Sequence, residues 1–188
     1  MLTNGLILPD NINKRARLTA IICVLTFFGC QPLTPSAPSC RVSDKDSAQT
    51  PINEVKAAAC LIRLDNTVLM VKHRLSGKLD FPAGGIQDNE SARCAAHRET
   101  WEETGFNTEV GRLLTYSASG MPVFLCRGEP SMQSLASEVG APDWAKPEVT
   151  GLIRVNPFDI DADALRFKDD LLPLRDAFVA AGKPVTPP

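Results

Sequence analysis

From residue 56 onward, apolar and polar positions alternate in short runs broken by turn-forming pairs. Lys56–Leu64 and Thr67–His73 are β-rich runs, and Asp65-Asn66 between them suits a hairpin turn. Val110–Ser117 and Met121–Arg127 form a second pair around Ser119-Gly120. Val149–Val155 reads as a further strand, stopped by Asn156-Pro157. Between the two pairs the period changes. Glu90–Thr104 contains no Pro or Gly, and Ala96, Thr100 and Thr104 recur every four residues, a small-residue stripe that can pack on a sheet. Asp88 or Asn89 supplies an N-cap, and Gly105 suits the left-handed position that ends many helices. Asp169–Ala181 predicts a C-terminal helix with Leu171, Leu172, Arg175 and Phe178 at helical spacing, and the acidic pair Asp169-Asp170 favours its start. Gly128–Lys146 is less regular and reads as a loop. No internal repeat is visible. Strands alternating with two helices predict one small α/β domain.

The first fifty residues differ in kind. Lys14, Arg15 and Arg17 precede an apolar run, Leu18–Gly29, of the length of a signal-peptide core and too short for an ordinary membrane span. Its end, Phe27-Phe28-Gly29-Cys30, resembles a bacterial lipoprotein cleavage site, with Phe27 where Leu is usual. Pro32, Pro35 and Pro38 among Ser and Thr give a tether composition. The expected organisation is therefore a signal segment over 1–30, a flexible tether over 31–54, the α/β domain over 55–182 and a tail over 183–188. The order of these features predicts export to the periplasm, with membrane anchoring through a lipid on Cys30. The alternatives are an uncleaved signal anchor, or a start site placed too early on a cytoplasmic protein.

Composition narrows the classes. With 20 Lys and Arg against 22 Asp and Glu, the chain carries a net charge of −2 and has no basic footprint for nucleic acid. Of six cysteines, Cys40, Cys60, Cys94 and Cys126 follow the cleavage point. Outside the cell they permit two disulfides, in any of three pairings. Buried or unpaired thiols are the competing reading, strongest for Cys60 in its apolar strand. No C-x-x-C spacing points to zinc. Cys94 shares a helix stripe with Trp101, away from the acidic face. His73 and His97, the only histidines, read as surface or packing residues.

Glu99, Glu102 and Glu103 bring the chemistry. Residues three and four apart share a helix face, so these carboxylates converge on one spot. Held that close they repel unless a cation sits among them, and hard oxygen donors suit Mg²⁺, with Mn²⁺ as a substitute. An ordinary exposed acidic helix end is the plain alternative. Acidic charge late in a helix opposes its dipole, however, and here it comes with Gly84-Gly85, Arg98 and the closing Gly105.

The spacing G-x5-E-x7-R-E-U-x-E-E-x-G-U resembles the Nudix box. Gly84, Glu90, Arg98, Glu99, Glu102, Glu103, Gly105 and Phe106 match it position by position, while Thr100 stands where an aliphatic residue is preferred. Leu79-Asp80-Phe81-Pro82-Ala83 resembles the family's lead-in, with Ala83 where Gly is frequent. The box spans 23 residues, and the wider resemblance runs from Lys56 to Phe178. It implies an α/β/α sandwich around a mixed sheet, and hydrolysis of a small-molecule diphosphate, such as a nucleoside diphosphate linked to another group. It also implies that Glu99, Glu102 and Glu103 bind catalytic metal, with the Gly84 carbonyl as a further ligand. Arg98 holds the acids by charge-assisted hydrogen bonds, and Glu90 orders the loop or reaches a metal through water. The general base is Glu103 or Glu148, because some members use a Glu outside the box. Substrate choice lies outside the box too. Phe81, Tyr116, Phe124 and Trp144 are candidates for stacking on a base, each competing with a core or surface role. Export favours envelope diphosphates: nucleotide sugars, CDP-linked lipids or isoprenoid diphosphates. The non-enzyme alternative is a ligand sensor on the same fold, which lost carboxylates would favour. Here all are present.

Overall fold

A computed structural model of the chain describes residues 35–43 and 55–182. These lie in the second of two compact units, Pro32–Pro188. The expected signal segment, Cys30, the tail over 183–188 and part of the tether fall outside the described residues. The elements run β1 (Ala57–Leu64), β2 (Thr67–His73), β3 (Leu79–Asp80), β4 (Ala83–Gly85), α1 (Ala92–Thr104), β5 (Glu109–Tyr116), β6 (Pro122–Arg127), β7 (Glu138–Gly140), β8 (Val149–Val155) and α2 (Leu171–Ala181).

The centre of the fold is β1, which is buried almost without a break. Its side chains alternate between two cores. Ala58, Cys60, Ile62 and Leu64 join the core that holds Ala92, Ala95 and Ala96 of α1. Ala59 and Leu61 join the core that holds Leu174, Ala177 and Phe178 of α2. Period-two alternation thus gives two hydrophobic faces, each covered by one helix. The sheet runs β5-β6-β1-β2-β8-β7. β1 and β6 are parallel and the other pairs antiparallel, so the α/β/α sandwich with a mixed central sheet is what the chain forms.

One departure from a plain sheet positions the site. β2 pairs with β1 only over Ile62–Leu64. The two strands then separate. β4 takes the freed edge of β1 at Ala57–Ala59, and β3 takes that of β2 at Val71–Lys72. The Cys60 amide donates to the Pro82 carbonyl at 3.0 Å between them. This wedge sets Gly84 beneath α1.

Several expectations need correction. The N-cap of α1 is Ser91, whose hydroxyl accepts from the Cys94 amide at 3.2 Å. Asp88 and Asn89 belong to the preceding turn instead, where Asn89 has φ 62°. Asn tolerates that left-handed conformation, which bends the chain before the helix starts. Gly105 does end the helix, with φ 75° and its amide donating to the Trp101 carbonyl at 2.8 Å. In α2 the buried stripe is Leu174, Ala177 and Phe178, not Leu171, Leu172 and Arg175. Leu172 is 68% exposed, and Arg175 donates to the carbonyls of Pro157 and Ile160 at 3.0 Å each.

The Gly128–Lys146 stretch is more ordered than a loop. A 3-10 turn over Pro130–Ser134 buries Met132, and β7 extends the sheet edge along β8. All four described cysteines are paired, Cys40 with Cys94 and Cys60 with Cys126, at Cα–Cα distances of 5.3 and 5.4 Å. The free-thiol reading of Cys60 is overturned, because the parallel register of β1 and β6 brings Cys126 beside it. Nor is the tether free throughout. Val42 bridges Val110, with backbone hydrogen bonds of 2.8 and 2.9 Å on either side, and Cys40 fixes the segment to α1. Among the described residues no helix is long and apolar enough to cross a membrane.

Candidate active site

The acidic face of α1 is organised by Arg98. Its Nε and Nη2 donate to the two oxygens of Glu90 at 2.9 and 2.8 Å. Nη1 reaches Glu99 at 2.6 Å and Glu102 at 3.3 Å, and Nη2 also donates to the Gly85 carbonyl at 2.6 Å. One guanidinium therefore ties the loop before the helix, two carboxylates on it and the β4 backbone together. Such charge-assisted forks are strong and directional. The hydrogen bonds from Arg98 hold the Glu90 carboxyl below its ordinary range. The same bond to Glu90, with Glu99 nearby, makes Arg98 still harder to deprotonate.

Glu99 and Glu103 are pushed the other way. Burial raises Glu99 despite its contact with Arg98. Glu103 goes well above the usual carboxylate range, chiefly through burial, with the charges of Glu99, Asp80 and Glu148 adding to it. One hydrogen bond opposes this, from the Ala83 amide to Glu103 Oε2 at 2.9 Å. Removal from water and crowding by like charge both favour a neutral form, so a cation entering here meets carboxylates that gain from its charge.

Gly84 explains its own identity. A Cβ at this position would lie 2.1 Å from the carboxyl carbon of Glu99, closer than real atoms approach. The strand can pass under the acids only without a side chain, and the Glu99 carboxylate occupies the space thus left. These donors, hard oxygens of Glu99, Glu102 and Glu103 around a bare glycine backbone, are chemically suited to a small divalent ion. Among the described residues no three such side chains are drawn together at metal-holding geometry. Glu99 and Glu102 turn to Arg98 instead, and Glu103 to Ala83.

Glu148 comes from the far end of the chain, on the turn before β8. Its carbonyl accepts from the Arg74 amide at 2.7 Å and its amide donates to Ala145 at 2.9 Å. Its side chain is exposed, and its charge is felt at both Glu99 and Glu103. The same turn is clamped to α1. Trp144 Nε1 donates to the Glu102 carbonyl at 3.0 Å, and the two tryptophans, Trp101 and Trp144, stack at 6.1 Å. Trp144 therefore acts as a strut, not as a free stacking surface. Phe81 and Phe124 are core residues, and Tyr116 is exposed on a strand end. His97 is buried, its Nε2 3.0 Å from Asn107 Oδ1, and His73 sits 3.2 Å from Ser76; both pack as expected.

Sequence reasoning missed Asp80. Burial pushes its carboxyl up to about 6, against the Phe81 amide at 2.9 Å and Arg166 at 3.4 Å. An acidic residue between Leu79 and Phe81, in a segment bound for the sheet, was the available signal.

Comparison with known proteins adds four findings. The NUDIX domain family model matches residues 54–167. A MutT-like protein of Streptomyces ambofaciens is 27% identical over 109 residues, covering 55% of this chain and 71% of that protein. An RNA pyrophosphohydrolase of Roseobacter denitrificans is 40% identical over 42 residues, 22% of this chain and 26% of that protein. Among solved structures, an ADP-ribose pyrophosphatase of Streptococcus suis 89-1591 superposes with a TM-score of 0.54 over 71% of this chain and 94% of its own. At 18% identity that likeness concerns the fold.

Proposed function

The chain belongs to the NUDIX family and is a diphosphate hydrolase of that type, and from this premise we propose that it cleaves nucleoside diphosphate derivatives or related diphosphates with Mg²⁺, outside the cytoplasm. Divalent ions are what the family generally uses. When bound, they neutralise the diphosphate and lower the pKa of a water. The chain's own residues do the rest. Glu99, Glu102 and Glu103 hold the ions, with the Gly84 carbonyl beside them. Arg98 keeps Glu99 and Glu102 in register and ties them to the loop through Glu90. Mn²⁺ is the natural substitute ion. The observation that carries this reading is the packing of the Glu99 carboxylate into the space over Gly84, with the half-buried Glu103 one turn further along the same helix, its carboxylate bonded to the Ala83 amide.

The proton of the attacking water needs an acceptor within hydrogen-bond reach. Glu148 serves that role in our reading, because the turn that carries it is held on α1 by Trp144 and on β2 by Arg74. Glu148→Gln then lowers kcat strongly and leaves Mg²⁺ affinity nearly unchanged. Near-normal kcat would move the role to Glu103.

Product analysis with the full chain over a panel of nucleotide sugars, CDP-linked lipids and isoprenoid diphosphates, with Mg²⁺ and with chelator, tests the activity: the first two should yield a nucleoside monophosphate and a second phosphomonoester, the last an isoprenoid monophosphate and phosphate. Cleavage that ignores chelator, or none across the panel, defeats the proposal. Location is tested separately. The order of basic stretch, apolar run, Gly29-Cys30 and Pro-rich tether supports export and lipid anchoring at Cys30. A fusion reporter active in the cytoplasm, with no membrane association, would count against it.

A further inference from the structure

The two disulfides differ in what surrounds them. Cys60 and Cys126 are 0% and 2% exposed, inside the core that α1 covers. Cys40 is exposed, and its partner Cys94 is half-buried. Cys40 belongs to the segment 40–43, which lies against the start of β5. There the Arg41 carbonyl accepts from the Val110 amide at 2.8 Å, and the Ser43 amide donates to the Val110 carbonyl at 2.9 Å. The Arg41 side chain adds a bond to the Asn107 carbonyl at 3.1 Å. Hydrogen bonds of this kind replace bonds to water and hold a short segment weakly. The covalent link at Cys40 is therefore what keeps the segment docked.

The other end of that link sits where a thiolate is welcome. Cys94 is in the first turn of α1, its amide bonded to the Ser91 cap at 3.2 Å. The positive end of a helix dipole stabilises negative charge on sulfur. No acidic side chain in that turn opposes it. Glu90, just before the cap, has its carboxylate engaged by Arg98. Thiol–disulfide exchange favours attack on the reachable sulfur and departure of the better-stabilised thiolate. Both preferences select one direction here: attack on Cys40 Sγ and departure of Cys94 Sγ.

We propose that Cys40–Cys94 is a thiol-exchange site, at which an external dithiol undocks the segment 40–43, loosens the start of α1 and so lowers catalysis. One thiolate of the dithiol bonds to Cys40 Sγ. The Cys40–Cys94 bond breaks, and its electron pair leaves on Cys94 Sγ. The second thiolate of the reductant then attacks the reductant's own sulfur in the mixed disulfide, and Cys40 departs as a thiolate. The protein gains two electrons and the dithiol becomes a disulfide. Cys60–Cys126, out of reach in the core, stays closed and preserves the fold. The effect reaches the acids because Cys94 lies one helical turn before Arg98, whose fork sets Glu90, Glu99 and Glu102. The effect on hydrolysis rests on the proposed diphosphatase reading, whereas the exchange itself is read without turnover.

The test exposes the full, oxidised chain to graded dithiothreitol without denaturant, blocks thiols with iodoacetamide and maps the labelled peptides. Cys40 and Cys94 should label completely at concentrations that leave Cys60 and Cys126 unlabelled, with far-UV circular dichroism unchanged. Hydrogen exchange at the Ser43 and Val110 amides and in the first turn of α1 should then speed up. The kcat should fall on the order of tenfold, within the range that a small misplacement of catalytic groups produces, and return on reoxidation. The double variant Cys40→Ser, Cys94→Ser should match the reduced wild type in exchange and in kcat, and should ignore reductant. Simultaneous opening of both disulfides, labelling only after unfolding, or unchanged hydrogen exchange in the opened chain overturns the proposal. Unchanged kcat in the opened chain overturns it as well. An oxidised chain that hydrolyses nothing defeats the diphosphatase reading instead, and labelling with hydrogen exchange still decides the exchange site.

Discussion

Helices α1 and α2 flank the same sheet with similar lengths, 13 and 11 residues, and do opposite work. α2 buries Leu174, Ala177 and Phe178 and is held by them. α1 buries mostly small side chains, Ala92, Ala95, Ala96, Thr100 and Thr104, with His97 the one large exception. It gains little hydrophobic energy from that face. Its position is instead fixed at discrete points: the Ser91 cap, the left-handed Gly105, the Cys40–Cys94 disulfide and the Arg98 fork. Small residues let the helix lie close to the sheet. That closeness sets its carboxylates against β4 and makes Gly84 obligatory. One helix spends its residues on packing, and the other spends them on placing charge.

The sharpest consequence is a separation of effects. Glu103→Gln should reduce diphosphate hydrolysis roughly a hundredfold or more, several kcal/mol of transition-state stabilisation. It should leave the thermal midpoint unchanged or raised, because it removes an ionisable, half-buried carboxyl pressed by the charges of Glu99, Asp80 and Glu148. Steady-state kinetics beside calorimetry reads both at once, and full activity in this variant would end the assignment. Leu174→Ala on α2 should do the reverse. Deleting a fully buried Leu typically costs about 2–5 kcal/mol of stability. The kcat of the folded fraction should stay within roughly twofold, since no α2 residue joins the acid cluster.

A third substitution is designed to break the contrast. Ala96→Leu adds bulk to the close face of α1, where Ala96 is fully buried in the core shared with β1. Overpacking of this kind costs about 1–3 kcal/mol. If closeness places the carboxylates, stability and kcat fall together, unlike in either earlier variant. Loss of stability with unchanged kcat would show that the fixed points alone hold the site.

What the sequence revealed follows the same division. The long strands, the hairpin at Asp65, the run of α1 and the Arg98–Glu103 constellation were legible, because each carries a period or a fixed spacing. β3, β4 and β7 were not, since two or three residues are too few to show alternation. Their pairing is decided by the parting of β1 from β2, which is a tertiary event. The cap slipped from Asn89 to Ser91 because both residues favour caps and only the left-handed backbone at Asn89 decides between them. The disulfides were open because pairing depends on register across β1 and β6 and on docking of residues 40–43. Asp80 stayed hidden because the desolvation that gives it its character is not written in a residue's neighbours along the chain.

The smallest effect lies where the two helices' territories meet, at Asp80. Burial raises its folded-state carboxyl to about 6 from the usual 3.8. Between those values the folded protein holds a proton that the unfolded chain has released. Stability from this group is therefore greatest below about pH 4 and falls as pH rises to about 6. Glu99 and Glu103, raised by burial, contribute the same sign, whereas Glu90, lowered by Arg98, opposes them. The total slope belongs to all four, so the wild-type profile alone does not isolate Asp80. Asp80→Asn does. Its amide oxygen can still accept from the Phe81 amide, the bond Asp80 makes at 2.9 Å, and no charge remains to be buried. The expected result is a shallower loss of unfolding free energy between pH 4 and 7, by on the order of 1–2 kcal/mol. Denaturant titrations of both proteins at those two pH values measure it. Parallel profiles would mean that Arg166, 3.4 Å away, already compensates the charge in the folded state.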